Sequence, residues 1–187
     1  PRSRWAEELA VPQSSSLLAH CAVIISEHPS VTPAFLEQLA LYDINGKLSG
    51  VVENDSGFIL SGAKLRRGPA LASQDIVLNE RSALAVDQIR QLTEPLRNYL
   101  RAHGDKAWRY LLLSASKGFG YPKRMDRLAV RTSAPDAVMA LADRFSRVLS
   151  ISADEAASLA FRFSLAALRA SAGVIVYFKT KSVRDMA

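Results

Sequence analysis

The chain has few of the residues that form covalent or metal cross-links. It contains one cysteine, Cys21, and three histidines among 187 residues. A single cysteine excludes an internal disulfide framework and fits a reducing compartment, so we expect a cytoplasmic protein. The histidines show no metal-ligand spacing with Cys, Asp or Glu. We therefore expect no metal site and no cofactor.

Long apolar runs and phosphate-binding glycine loops are missing as well. No uninterrupted apolar run approaches the roughly 18 residues of a membrane span, and no secretory signal is visible, so we expect no membrane partner. The glycines form neither Gly-x-x-x-x-Gly-Lys nor Gly-x-Gly-x-x-Gly in a strand-to-helix setting. These absences argue against a nucleotide or other small-molecule cofactor.

Apolar residues and cations are what the sequence does supply. Hydrophobic residues make up 49% of the chain, and 24 Lys and Arg against 18 Asp and Glu give a net charge of +6. A chain of this length and composition is most simply one domain, here residues 1–187, with a substantial core. The positive charge fits a polyanion partner but does not establish one.

The hydrophobic patterning predicts an α+β fold, mostly α-helical, with a small three-stranded antiparallel sheet. Helices are predicted over 13–27, 33–42 and 80–103, from 133 or 136 to about 148, and from a capping box at 152–155. Strands are predicted over 48–52, 58–61 and 75–78. Pro95 predicts a kink or a break near Thr93, and 116–131 is predicted to be a cation-rich loop.

One arginine stands out near the C-terminus. Arg169 is the only charged residue between 164 and 177, and a Lys-Thr-Lys-Ser turn and a new helix start follow. A guanidinium among apolar neighbours is costly unless an anion or a hydrogen-bonding partner meets it. The segment therefore predicts either an anion or a hydrogen-bonding partner at Arg169.

The segment 168–171, Leu-Arg-Ala-Ser, resembles the box II motif of tyrosine recombinases (phage integrases). That family reads Leu-Arg-His-Thr at this point, and its arginine grips the scissile phosphate. Lys64, in a Gly-x-Lys turn between two predicted strands, falls where the family has a β-hairpin lysine. The resemblance covers nearly the whole chain. It implies a recombinase catalytic-domain fold, with Arg169 and Lys64 as the catalytic residues.

The resemblance also implies contacts to double-stranded DNA. We expect cations on predicted loops to touch its backbone: Arg66, Arg67, Lys123, Arg124 and Lys181. Aromatic residues among the cations of the loop at 117–127 suit nucleic-acid contacts too. For each basic turn, a plainly solvated loop is the alternative. The implied full-length activity is cleavage and rejoining of DNA through a 3′-phosphotyrosine, with self-association on DNA and no cofactor.

Three departures from the family pattern shape these expectations. Thr32 stands where the first arginine belongs, eleven residues before Asp43, and Ala166 stands where the box histidine belongs. The expected Leu-Gly-His and tyrosine would follow Ala187, so we expect a fragment of a longer protein that is inactive alone. The alternatives are a recombinase-like DNA-binding protein without catalysis and a helical interaction module. The recombinase hypothesis places Thr32, the Lys64 hairpin and Arg169 around one groove.

Overall fold

The computed structural model describes residues 12, 14–54, 57–63, 73–115 and 120–182. Its α-helices, in chain order, are α1 (Ser14–Glu27), α2 (Pro33–Gln38), α3 (Glu80–Ala102), α4 (Leu128–Arg131), α5 (Pro135–Leu149), α6 (Ala153–Arg162) and α7 (Leu165–Thr180). The strands are β1 (Val51–Asn54), β2 (Gly57–Ala63), β3 (Ser73–Val77), β4 (Leu113–Ala115) and β5 (Pro122–Arg124). A 3-10 helix covers Lys106–Arg109.

The first three strands form an antiparallel sheet in the order β1-β2-β3. Val51 pairs with Leu60, and Leu60 pairs with Ile76. All three side chains are buried, because residues paired directly across a sheet share one face and this face meets the core. The predicted α+β class, mostly helical with a three-stranded antiparallel sheet, is confirmed.

Local capping explains where several helices begin. The Thr32 hydroxyl accepts from the backbone N–H of Phe35, and Pro33 takes the first helical position of α2. Asn79 caps α3 in the same way, and Ser164 caps α7. The predicted capping box of α6 is confirmed, since Ser152 and Glu155 bond to each other's backbone.

The core lies where α1, α2 and α3 pack around the buried sheet face. Its fully buried side chains include Leu17, Ile24, Leu36, Leu60 and Ile89. A second, smaller cluster joins the end of α3 to β4 and contains Leu96, Leu100, Leu113 and Ala115. This second cluster lies under the 3-10 helix.

The second predicted helix is too long. α2 stops at Gln38 instead of 42, because Leu39 is extended and Ala40 forms a β-bridge with Tyr110. The N–H groups of Leu41 and Tyr42 both donate to the carbonyl of Arg109. Backbone pairing with a distant segment, which no local pattern reports, therefore ends the helix early.

Two further expectations are corrected. Of the kink or break predicted near Thr93, the break is wrong, because α3 runs through Pro95. The region predicted to be a loop at 116–131 contains β5, which pairs with β4, and the short helix α4. Met125 and Leu128 in this region are fully buried, which shows why it is ordered. Residues 116–119 of this region lie outside the described part.

The helices α6 and α7 meet at a bend of 88°. Arg162 and Arg169 consequently lie on different helices and share no helix face. Among the described residues, no single helix is long and apolar enough to cross a membrane. The α6–α7 pair passes that test only when its two bent halves are taken together.

Candidate nucleic-acid interface

Three distant parts of the chain meet at the turn between α1 and α2. We define this turn, residues 28–32, as the 28–32 loop. It is closed by a hydrogen bond from the N–H of Val31 to the carbonyl of His28, at 2.9 Å. Thr32 ends the loop as the N-cap of α2, which is the helix-start position predicted for it.

Arg169 reaches this loop from α7. Its Nε donates to the carbonyl of Pro29 at 2.5 Å, across 140 residues of sequence. The residue is half-buried. No other described residue accepts a hydrogen bond from this guanidinium. The terminal amino groups of an arginine are a pair of donors that carboxylates and phosphates accept in bidentate geometry.

The root of the β2–β3 hairpin also meets the 28–32 loop. Gln74 of β3 donates from Nε2 to the carbonyl of Ser30 at 3.3 Å. Its Oε1 is buried and has no hydrogen-bond partner among the described residues. Gln74 pairs with Gly62, two positions before Lys64. The hairpin that carries Lys64 therefore begins beside the loop that Arg169 holds.

A glycine makes this approach possible. A Cβ built on Gly62 would lie 2.7 Å from Phe35 Cε2 and 3.0 Å from Leu39 Cδ1. Real Cβ atoms do not pack that closely, so β2 can cross α2 here only without a side chain. The glycine of the Gly-x-Lys motif thus fixes the hairpin root against α2.

The third segment at the loop is the start of α3. His28 Nε2 and Ser82 Oγ are 2.8 Å apart, and Ser82 is fully buried. Burial lowers the pKa of His28, and the nearby Glu27 carboxylate opposes that shift. Glu27 is itself engaged, because Arg81 Nη1 lies 2.7 Å from its Oε1. The acidic group beside the loop is thus charge-paired.

Lys64, Arg66 and Arg67 lie outside the described residues, and their placement stays a prediction. What the structure places is the last residue pair before the hairpin tip, Ala63 opposite Ser73. That pair continues the Gly62–Gln74 pair, which contacts both α2 and the 28–32 loop.

The other predicted DNA contacts lie elsewhere. Lys123 and Arg124 are exposed on β5, and the Arg124 guanidinium stacks 4.6 Å above the Tyr110 ring. The carbonyl of Tyr110 accepts a hydrogen bond from Arg97 of α3. Arg97 lies roughly 20 Å along α3 from Ser82, the residue that meets the 28–32 loop, at a rise of about 1.5 Å per residue. Lys181 is exposed at the end of α7, about 18 Å along the axis from Arg169. These three cations do not converge on the loop.

A buried arginine was missed by the sequence analysis. Arg97 is fully buried and donates to the carbonyls of Trp108 and Tyr110. It also donates to Thr93 Oγ1 at 2.9 Å, and its Nε lies 3.4 Å from Glu94 Oε2 without hydrogen-bond alignment. Burial lowers its pKa. The sequence did hold a signal for the Thr93–Arg97 contact, because residues four positions apart share one face of a helix.

Other chemistries find little support in the described residues. They hold no group of three or more His, Cys, Asp or Glu side chains able to bind a metal ion. Burial raises the pKa of the Cys21 thiol to about 12, so it stays protonated at neutral pH. A protonated buried thiol is not a nucleophile.

What the 28–32 loop offers is a set of cation and backbone groups rather than a metal or thiol centre. The hairpin root and Arg169 reach this loop across 44 and 140 residues of sequence, and Thr32 ends the loop. Comparison of the chain with protein-family models, with curated proteins and with solved structures found no match.

Proposed function

We propose that the chain is a duplex-DNA-binding domain of the tyrosine-recombinase type. Arg169 grips one backbone phosphate with its terminal amino groups, and Lys64 approaches the same phosphate from the β2–β3 hairpin. In a full-length protein the two cations would stabilise charge as the phosphodiester reacts, with Lys64 as acid or phosphate contact. The DNA is cut and rejoined through a tyrosine supplied outside the described residues.

One observation carries this proposal. Arg169 and the root of the Lys64 hairpin contact adjacent residues of the same loop, Pro29 and Ser30. Nothing in local sequence forces segments so far apart to meet there. Two cations that must reach one phosphate require such a meeting. The loop also ends at Thr32, which the recombinase hypothesis places around one groove with the Lys64 hairpin and Arg169.

A second candidate is the same domain without catalysis. The Thr32 hydroxyl accepts from the Phe35 N–H at 3.1 Å, so it acts as a helix cap. Ala166, at the expected histidine position, is exposed and has no group to transfer a proton. A chain that keeps Arg169 but lacks the first arginine and the box histidine would bind DNA and leave it intact. A covalent protein–DNA adduct on a denaturing gel would separate cleavage from binding.

The decisive test compares two arginines on neighbouring helices. Arg169→Ala removes the proposed clamp, whereas Arg162→Ala removes an exposed arginine whose Nε bonds within its own helix to Ser158. Binding of a labelled 20-bp duplex is measured by anisotropy across salt concentrations. We expect Arg169→Ala to weaken binding and to reduce the magnitude of the log K against log salt slope by about one. Arg162→Ala should leave that slope unchanged.

The loss of the Pro29 hydrogen bond must be separated from the loss of a phosphate contact. Denaturant unfolding of Arg169→Ala gives the stability cost, and binding is then compared at temperatures where both proteins are folded. Lys64→Ala serves as a second variant that leaves the Pro29 bond intact. Wild-type protein that fails to bind duplex at low salt, or equal slopes for all variants, would overturn the proposal.

A protein-interaction role is favoured by a different observation. The C-terminal helices expose large apolar side chains, with Met139 at 72%, Phe161 at 82% and Phe178 at 65% exposed. Exposed apolar side chains that form a contiguous patch mark an interaction surface. We propose that these helices mediate self-association when the protein is bound to DNA. Light scattering of the protein with and without duplex tests this, and a monomer under both conditions would exclude it.

A further inference from the structure

The far end of α3 carries an aromatic cluster that the proposed duplex site does not use. The Tyr99 and His103 rings stack with centroids 4.1 Å apart, and the Tyr121 ring meets Tyr99 edge-on at 5.9 Å. We call Tyr99, His103 and Tyr121 the aromatic platform. It joins the last turns of α3 to the residue just before β5.

The platform is exposed and lies above the core. Tyr99 is 45% exposed and Tyr121 is 54% exposed. The apolar contacts at this end of the molecule are made by buried residues, including Leu96 and Leu100 on the same helix. Core packing therefore does not account for three neighbouring rings at the surface. Exposed apolar surface of this kind marks a binding site more often than a structural element.

One exposed cation shares a strand face with the platform. Lys123 lies two residues after Tyr121 in extended chain, so both side chains point to one face, and both are exposed. The Arg101 and Arg124 guanidinium groups lie over other rings, Trp108 at 4.4 Å and Tyr110 at 4.6 Å, and are not part of the platform.

The acidic groups near the platform are partly engaged. Asp105 Oδ1 accepts from the Ala107 N–H and caps the 3-10 helix, while its Oδ2 accepts from the Tyr121 hydroxyl at 3.2 Å. Asp105 thereby orients the Tyr121 ring. Asp126 lies three residues after Lys123 in the sequence.

We propose that the aromatic platform binds single-stranded nucleic acid, with unpaired bases stacked on Tyr99 and Tyr121 and a phosphate held by Lys123. Ring faces bind bases only when those bases are not paired and stacked in a duplex, whereas neighbouring cations follow the backbone. The platform lies roughly 20 Å or more along α3 from the 28–32 loop. It is therefore a second site, independent of the duplex contact at Arg169.

The test measures anisotropy of a labelled 12-nucleotide oligo-dT and of a labelled hairpin duplex. Tyr99→Ala and Tyr121→Ala should each weaken oligo-dT binding about tenfold, within the range known for loss of one base-stacking ring. Duplex binding should change less than twofold. Tyr121→Phe keeps the ring and loses the hydroxyl, so it should bind oligo-dT as wild type does. Tyr177→Ala, a tyrosine on α7 that is 37% exposed, is the matched control.

Three outcomes would overturn the proposal. One is an unchanged oligo-dT affinity in both alanine variants that still melt as wild type does. Another is an equal fall for oligo-dT and duplex, which would reduce the platform to a phosphate contact. In the third, poly-glutamate displaces labelled oligo-dT as well as unlabelled oligo-dT does at the same concentration of charges. That result would point to an acidic peptide partner.

Discussion

The first 130 residues and the C-terminal helices use apolar side chains in opposite ways. In α1, α2 and the sheet, residues such as Leu17, Leu36 and Leu60 are fully buried. None of the fifteen residues of α5 is buried, and α6 buries only Ala156 and Ala160. Apolar content alone therefore does not locate the core. Large side chains bury only where a second layer covers them, and small ones mediate the close α5–α6 contact.

This difference bears on the proposed clamp. α7 is anchored on α1 through the buried Leu165, the half-buried Leu168 and the Arg169 bond to Pro29. Val174, Ile175 and Phe178 further along the helix are all about half exposed or more. Arg169 thus lies at the boundary between the well-packed body and the thinly packed helices. Its guanidinium holds α7 against the 28–32 loop.

The largest expected effect comes from matched truncations in the two regions. Leu36→Ala empties a fully buried site and should lower the free energy of unfolding by about 2–5 kcal/mol. Met139→Ala in α5, where the side chain is 72% exposed, should change it by about 0.5 kcal/mol or less. Urea unfolding followed by circular dichroism measures both. Similar costs for the two variants would show that α5 is packed in solution.

A smaller effect is expected at the hairpin root, which lies inside the well-packed region. Gly62→Ala places a methyl 2.7 Å from the buried Phe35 ring, so the ring or the strand must move. We expect a loss of about 1–3 kcal/mol in unfolding free energy, the usual cost of overpacking. Gly57→Ala is the control for a glycine with no neighbour within 4 Å, although its φ of +116° adds strain of its own.

DNA affinity distinguishes a displaced hairpin from a merely strained one. If the root sets the position of Lys64, Gly62→Ala should also weaken duplex binding at a temperature where the variant is folded. Gly57→Ala, at the opposite end of β2, should not. Loss of stability in Gly62→Ala with unchanged duplex affinity would separate the hairpin from the proposed site.

The sequence predicted local features better than contacts between distant segments. Helix starts carried chemical signals, as at Ser152 with Glu155 and at Thr32 before Pro33, and both were placed correctly. The end of α2 and the strand β5 were missed. Both depend on backbone pairing with remote residues, Ala40 with Tyr110 and Pro122 with Ala115.

At the candidate site, too, local features were predicted and contacts between distant segments were not. An arginine alone in an apolar segment predicted that Arg169 needs a partner, and the structure supplies the Pro29 carbonyl. No pattern could name that acceptor, because every residue has a carbonyl and only the fold selects one. His28 and Gln74 were missed for the same reason. Their roles come from Ser82 and Ser30, which lie 54 and 44 residues away.

The smallest expected effect is a pH dependence at the 28–32 loop. Burial lowers the pKa of His28 from the ordinary value of 6.5, so the folded protein prefers the neutral ring that meets Ser82. Above pH 6.5 His28 is mostly neutral in the folded and unfolded states, and its contribution is fully present. As pH falls through 6.5 the unfolded chain takes up the proton first, so stability falls and then levels below the folded pKa.

Urea unfolding from pH 8 to 5 should show this decline for wild type and for His103→Gln, whose histidine is exposed. His28→Gln should flatten the curve in that interval. A decline of equal size in His28→Gln would assign the proton uptake to another group and leave the His28–Ser82 contact without a role in pH sensitivity.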